Sequence, residues 1–156
     1  QEVTDLKEGL LLNGAELSIK RMIYRRSGPR LSELQRIKIS QLIAAYEAKG
    51  IDSSFTLDLI GRESSFDPAA VSSKGALGLM QLLPSTARWL AQKEGFPWRG
   101  EEMLFDPVTN VRFGLAYLKY LADDFRGERL LRAAYQAGPN WVRQSLGEGG
   151  IYASNP

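Results

Sequence analysis

Residues 61–87 read GRESSFDPAAVSSKGALGLMQLLPSTA, a segment with one glutamate followed by serines, small residues and a glutamine in an apolar run. Leu59 and Ile60 precede Glu63 by four and three residues, so in a helix the carboxyl shares a face with apolar side chains. Such a setting raises the pKa of a carboxyl group, and a protonated carboxyl can donate its proton to the leaving oxygen of a glycosidic bond. The spacing alone also allows an exposed Glu63 that pairs with Arg62 or Lys74.

Groups suited to a sugar ligand follow this glutamate. Ser72, Ser73 and Gln81 can exchange hydrogen bonds with hydroxyl and acetamido groups, although serines in loops more often serve turns. Further along, the segment AAYQAGPNWV supplies Tyr135, Gln136 and a tryptophan near a second turn. Amide and aromatic side chains can line a saccharide groove, while core packing is the default role of the aromatic residues.

The composition excludes several other chemistries. The 156 residues contain no cysteine and no histidine, which removes the usual ligands of zinc, haem and iron–sulfur sites and the usual base of a nucleophilic triad. We therefore expect no metal and no cofactor. A net charge of +2 gives no general indication of nucleic-acid binding. No apolar run is long enough to cross a bilayer and no signal pattern follows Gln1, so we expect a chain that is soluble as given or already trimmed.

Basic residues are concentrated in one stretch near the amino terminus. Residues 20–38 carry Lys20, Arg21, Arg25, Arg26, Arg30, Arg36 and Lys38. This stretch would suit an envelope-protein partner or an anionic surface, such as an envelope polymer or a membrane. A solvated helix face with dispersed counter-charges explains the same pattern.

The apolar spacing is helical along nearly the whole sequence, which predicts a mainly α protein with one core. The predicted helices cover about Thr4–Arg26, Glu33–Lys49, Ser54–Ser65, the segment from Pro84 to Gly95, the segment capped by Asp106 and closed by Gly127, Glu128–Ala137 and Asn140–Leu146. The segment AAVSSKGALG is predicted to be a loop. The break at Ser27–Pro29 predicts an N-terminal helical arm, residues 1–30, joined to a main body, residues 31–156.

Three ordered blocks resemble the motifs of the soluble lytic transglycosylase (SLT) family, which is related to goose-type lysozyme. They are ESSFDPAAVSSKGALGLMQLLPSTA, FDPVTNVRFGLAYLKYL and AAYQAGPNWV, and the resemblance covers roughly residues 37–146. It implies a lysozyme-like helical domain that acts on peptidoglycan in the bacterial periplasm, in the cell envelope or outside the cell. It also implies cleavage between N-acetylmuramic acid and N-acetylglucosamine without water, leaving a 1,6-anhydro sugar.

The resemblance assigns roles to individual residues. Glu63 matches the family's single catalytic acid/base, and Ser72 matches the serine that contacts the acetamido region of the substrate. Met80 and Gln81 match a pair that lines the groove. Tyr135 matches the tyrosine of a Tyr-Asn-Ala-Gly motif.

Two positions depart from the family pattern. Gln136 stands where the family usually has asparagine, so its longer side chain must either place the amide differently or leave that contact weaker. The chain stops at IYASNP, where the family usually continues into a Glu-Thr-x-x-Tyr-Val helix, so either the chain is truncated or Tyr152 or another tyrosine substitutes.

Two other functions stay open beside the transglycosylase. One is a hydrolysing lysozyme of the same fold, which would need a second carboxylate such as Asp67 or Asp58 to position water. The other is a peptidoglycan-binding or assembly module without turnover. Asp67, which precedes Pro68, is equally explained as a turn residue.

Overall fold

The computed structural model describes residues 12–147 of the chain. In this part, helices begin and end close to the capping and helix-breaking residues of the sequence. The α-helices of these residues are α1 (Gly14–Ser27), α2 (Glu33–Glu47), α3 (Ser53–Ser64), α4 (Pro84–Glu94), α5 (Pro107–Asp124), α6 (Glu128–Ala137) and α7 (Pro139–Gly147). Short 3-10 helices cover Gly28–Arg30 and Glu101–Phe105. Residues 12–147 contain isolated β-bridges but no strand, which confirms the mainly α prediction.

Capping boxes begin the first two helices. At α2 the Ser32 hydroxyl accepts from the N–H of Gln35 at 3.1 Å, while the Gln35 side chain accepts from the N–H of Ser32 at 2.9 Å, as predicted. Asn13 and Glu16 form the same reciprocal pair at α1. The predicted first helix began near Thr4, whereas α1 begins at Gly14; residues 1–11 lie outside the described part of the chain.

Prolines and acidic caps set the limits of the next helices. Asp52 caps α3, and α4 begins at Pro84 and ends before Gly95, which adopts the left-handed conformation with φ 73°. Asp106 caps α5 through its carboxylate, which accepts from the N–H of Thr109 at 2.9 Å. These limits agree with the predicted helices to within a few residues, because caps and breakers act locally.

The chain divides into two compact units, one ending at Leu115 and the other beginning at Ala116. In the first unit α1 packs against α2 and α3, and its core includes fully buried isoleucines such as Ile23. In the second unit α6 packs against α7, and Val142 is fully buried. Among residues 12–147, no helix combines the length and the apolar character needed to cross a membrane. The predicted division of the chain at residue 30 stays a prediction.

Two of the basic side chains in residues 20–38 are buried. Lys20 is only 2% exposed, and its Nζ donates to Glu33 Oε1 at 2.6 Å. Arg36 is also buried and donates to the other carboxylate oxygen of Glu33 at 2.8 Å and to the carbonyl of Leu31. These two cations join α1 to the start of α2, so they are not part of an exposed polyanion-binding surface. Of the remaining cations, Arg26 and Arg30 donate to backbone carbonyls, so a solvated face with dispersed counter-charges describes at most Arg21, Arg25 and Lys38.

The contacts of Glu33 make the stability of the first unit pH-dependent. Burial alone would raise the pKa of Glu33, but hydrogen bonds and charge interactions with Lys20 and Arg36 outweigh it and hold the pKa below its ordinary value of 4.5. A carboxyl whose pKa is lower in the folded state stabilises that state above the unfolded pKa. The contribution disappears as the pH falls through the folded pKa.

We expect Glu33→Gln to lower the free energy of unfolding most strongly near neutral pH. The difference between wild type and variant should stay constant from neutral pH down to the unfolded pKa and shrink below it, as the falling pH protonates Glu33 in the folded state. Urea unfolding at a series of pH values measures this difference. A difference that stayed constant with pH would show that Glu33 does not act through its charge.

Candidate active site

Glu63 lies in the last turn of α3 and is half-buried. Asp52 caps the start of this helix, and its side chain accepts from the N–H of Phe55 at 2.8 Å. Ser65 caps the end of the helix, and its N–H donates to the carbonyl of Gly61 at 3.0 Å. The predicted catalytic carboxyl is therefore placed on a rigid element, immediately before the chain leaves the helix.

The neighbouring charged residues have local partners of their own. Arg62, which was one of two partners considered for Glu63, donates from Nε to Asp58 Oδ2 at 3.0 Å. Asp67 Oδ1 accepts from the N–H of Ala69 at 2.9 Å, which closes a short turn around Pro68. The interpretation of Asp67 as a turn residue is confirmed, and both carboxylates considered for a water-activating role take part in local contacts.

The segment after this turn is a compact loop, as predicted, closed by bridges from Leu77 to Val71 and Leu82. Ser72 exchanges two hydrogen bonds with Ala76: its N–H donates to the carbonyl of Ala76 at 3.0 Å, and its hydroxyl accepts from the N–H of Ala76 at 3.1 Å. A hydroxyl that accepts in this way keeps one proton to donate. Ser72 is half-buried and Ser73 is exposed.

Gln81 helps to shape this loop from within. Its backbone is left-handed, with φ 52°, and its side-chain nitrogen donates to the carbonyls of Ala70 at 3.1 Å and Gly78 at 2.9 Å. Both amide protons are used inside the protein, so the side chain can offer a ligand only its oxygen as an acceptor.

Met80 was expected to line the groove together with Gln81, and the structure corrects this expectation for its side chain. The side chain is 0% exposed, because the residue lies on the inner side of the loop, where its N–H donates to Asn110 Oδ1 at 2.8 Å. Met80 therefore acts as a core residue beneath the loop, and its side chain makes no groove surface.

Asn110 is an important residue that sequence reasoning missed. It is 0% exposed in α5, where its Nδ2 donates to the carbonyls of Leu77 at 2.9 Å and Leu104 at 2.8 Å, while its Oδ1 accepts from Met80. The sequence feature that could have indicated its role is its position next to Val111, on the apolar side of a predicted helix. A buried amide must find partners, and here the partners are the backbone of the loop.

The loop is also tied to the helix that carries Glu63. The hydroxyl of Ser64, the next residue, lies 2.7 Å from the carbonyl oxygen of Leu79 and 3.1 Å from that of Ile60. Its single proton serves one acceptor at a time, and the shorter distance favours the loop. Asn110 thus fixes the loop from one side, while Ser64 joins it to the end of α3.

The remaining predicted site residues belong to the second unit. Tyr135 is half-buried in α6, with its ring centroid 5.5 Å from that of Tyr117, which stacks on Tyr120 at 6.4 Å. Burial, followed by the charge of Tyr120, raises the pKa of Tyr117 above its ordinary value. Gln136 is exposed near the end of α6. Sequence reasoning missed this tyrosine cluster.

Two further sequence-based expectations concern the same unit. Trp141, for which core packing was the default expectation, is 47% exposed in α7. Tyr152, the proposed substitute for a missing family tyrosine, lies outside the described residues. Within residues 12–147, no group of three or more acidic, histidine or cysteine side chains is arranged to hold a metal ion.

Comparison with known proteins identifies related sequences. Residues 40–155 match the family model of the transglycosylase SLT domain. The soluble lytic murein transglycosylase of Salmonella typhimurium is 34% identical over 135 residues, or 85% of this chain and 21% of that protein. A membrane-bound lytic murein transglycosylase C of Serratia proteamaculans is 40% identical over 89 residues, or 53% of this chain and 24% of that protein. The chain thus spans about a fifth to a quarter of the curated relatives described here.

Solved structures of similar chains have the same fold. The 70 kDa soluble lytic transglycosylase Slt70 of Escherichia coli matches with a TM-score of 0.65 and 28% identity, over 85% of this chain and 24% of that one. An inactive Glu-to-Gln mutant of the lytic transglycosylase Slt of Pseudomonas aeruginosa matches with a TM-score of 0.62 and 32% identity, over 84% and 24%. These likenesses confirm the predicted lysozyme-like helical fold.

Two glycines of the loop provide a matched test of how tightly Asn110 holds it. Gly78 (φ 77°) and Gly75 (φ 83°) are both left-handed, but a Cβ at Gly78 would overlap Asn110 Nδ2 and the carbonyl oxygen of Leu104, whereas one at Gly75 meets nothing within 4 Å. We expect Gly75→Ala to cost roughly 1–2 kcal/mol from backbone strain. Gly78→Ala should cost about 1–3 kcal/mol more from overpacking, as measured by urea unfolding. Equal losses would contradict tight packing around Asn110.

Proposed function

This chain belongs to the transglycosylase SLT domain family, and from that premise we propose that it is a peptidoglycan lytic transglycosylase. It would cleave the β-1,4 bond between N-acetylmuramic acid and N-acetylglucosamine without water and leave a 1,6-anhydro product. The observation that carries the proposal is the position of Glu63, half-buried at the end of α3 beside a loop that buried hydrogen bonds hold in place. The names of the relatives, which are murein transglycosylases, support the same substrate.

The proposed mechanism uses one carboxyl group twice. Protonated Glu63 donates its proton to the glycosidic oxygen as the bond to C1 of the muramic acid breaks, and the acetamido group of the substrate stabilises the positive centre. The C6 hydroxyl of the same sugar then attacks C1, and ionised Glu63 removes the hydroxyl proton. Glu63 ends as it began, so the reaction needs no protein nucleophile and no external water.

The local contacts of the neighbouring acids favour this reaction over hydrolysis. A hydrolysing enzyme that inverts the sugar needs a second carboxylate to activate water on the opposite face. Asp58 forms an ion pair with Arg62, and Asp67 closes its own turn, so neither nearby candidate is arranged as a dedicated base.

Polar residues of the loop are proposed to bind the sugars. Ser72 keeps a hydroxyl proton for the acetamido region, exposed Ser73 lies beside it, and Gln81 offers its side-chain oxygen. Tyr135 and Gln136 are assigned to substrate binding by their match to the family motif.

We place this activity at the bacterial cell wall, in the periplasm or elsewhere in the envelope. Relatives include both soluble and membrane-bound murein transglycosylases, whose named substrate is the cell wall. The partner that this supports is the peptidoglycan strand itself. An envelope-protein partner for the basic stretch has less support, since two of its cations are buried.

Exchange of Glu63 for glutamine tests the assignment directly. Glu63→Gln keeps the size of the side chain but cannot donate and recover a proton, so release of soluble muropeptides should fall by about 10²- to 10⁴-fold. Binding to intact sacculi and the unfolding midpoint should be nearly unchanged. Glu101→Gln, at an exposed carboxylate in the same unit, is the control and should keep full activity. A Glu63→Gln variant that retains more than about a tenth of wild-type turnover would falsify the catalytic role.

A further inference from the structure

We infer that Arg30, at the end of the N-terminal arm, is a positioning residue for Glu63. This inference rests on the proposed function, because it concerns the orientation of the carboxyl that the proposal makes catalytic. Arg30 lies outside residues 40–155, the part of the chain that matches the SLT family model. The arm would therefore be a working part of the active site rather than an accessory.

The chain leaves the Glu63 helix through an unusual turn. Ser65 and Phe66 both have positive φ, 52° and 60°, although neither is glycine, and in residues 12–147 Gln81 is the one other non-glycine residue that does so. Residues other than glycine rarely adopt this conformation, because the Cβ atom crowds the backbone. It persists only where surrounding contacts hold it. Because the turn begins two residues after Glu63, its geometry sets how the last turn of α3 is oriented.

Arg30 supplies one of the contacts that hold this turn. Its Nη2 donates to the carbonyl oxygen of Ser65 at 2.8 Å and to that of Arg26 at 3.0 Å, while its Nε donates to that of Ser27 at 3.2 Å. Two carbonyls at the end of α1 thus fix the plane of the guanidinium group, and the same group reaches across to the strained turn. A planar group with several donors is suited to join two chain ends in this way.

Arg26 reinforces the same junction one helical turn earlier. Its Nη1 donates to the carbonyl of Leu57 at 3.3 Å, and its guanidinium carbon lies 5.8 Å from the ring centroid of Phe66, which is 1% exposed. A Cβ at Gly61 would lie 3.0 Å from Arg26 Nη1, so the guanidinium group packs closely over this glycine. The arm therefore contacts α3 before Glu63 in sequence and the turn after it.

The loop holds the turn from another direction. Ser64 donates to the carbonyl of Leu79, so consecutive residues after Glu63 are attached to different elements, Ser64 to the loop and Ser65 to the arm. Loss of the arm contact would leave the strained turn supported by the loop and by the burial of Phe66. The carboxyl of Glu63 would then sample orientations away from the glycosidic oxygen, which slows proton transfer without removing substrate contacts.

Three variants of the whole chain test this inference on soluble peptidoglycan strands. Arg30→Ala should lower kcat by about tenfold or more, with KM changed by less than about twofold, because misplacement of a catalytic group slows the chemical step. Arg30→Lys keeps the positive charge but replaces the planar guanidinium group with a single donor nitrogen, so it should recover part of the lost kcat. Arg25→Ala is the matched control, since Arg25 is an exposed arginine in the last turn of α1, just before the 3-10 helix that carries Arg30, and shows no hydrogen bond or ion pair among the contacts of residues 12–147.

The outcomes separate this inference from the function on which it rests. Wild-type protein that cleaves no glycan strands would overturn the proposed function together with the positioning role. Active wild type with an Arg30→Ala variant that matches Arg25→Ala would overturn the positioning role alone, as would a loss confined to KM. If Arg30→Ala does not fold, Arg30→Lys decides: a kcat several-fold below wild type supports the inference, and an unchanged kcat contradicts it.

Discussion

The buried side-chain amide of Asn110 is the interaction on which the candidate site depends. It forms buried hydrogen bonds with two backbone carbonyls and one backbone N–H, and two of these groups belong to the loop that follows Glu63. The loop in turn accepts the hydroxyl proton of Ser64 at Leu79. An amide in α5 thereby fixes a loop, and the loop helps to fix the end of the helix that carries the carboxyl.

Such a rigid arrangement suits a reaction that uses one group as both acid and base. The carboxyl must first donate to one oxygen and then accept from another, and the distance it moves between the two steps is small only if the helix end stays in place. In the proposed mechanism one side chain transfers the proton, and many more keep that side chain in position. Under the proposed mechanism, a site without histidine and cysteine side chains would therefore suffice.

Sequence alone predicted what local interactions determine. The Ser32–Gln35 capping box, the start of α4 at Pro84 and the turn at Asp67 follow from neighbouring residues, and the structure has all three. Contacts between distant segments were not predictable: nothing near Lys20 in sequence indicates that its ammonium group is buried against Glu33. The same holds for the inward direction of Met80, whose N–H donates to Asn110 in α5, and for the left-handed turn after Glu63, where the carbonyl of Ser65 accepts from Arg30.

The oxygen that becomes attached to C1 of muramic acid distinguishes the proposed reaction from hydrolysis most directly. Digestion of purified peptidoglycan in water enriched in a heavy oxygen isotope, followed by mass spectrometry, identifies its source. If the C6 hydroxyl attacks, the fragments are one water lighter than hydrolysis products, lack a reducing end and carry no heavy oxygen. Fragments with heavy oxygen at a reducing muramic acid would contradict the account and assign the chain to the hydrolysing lysozymes.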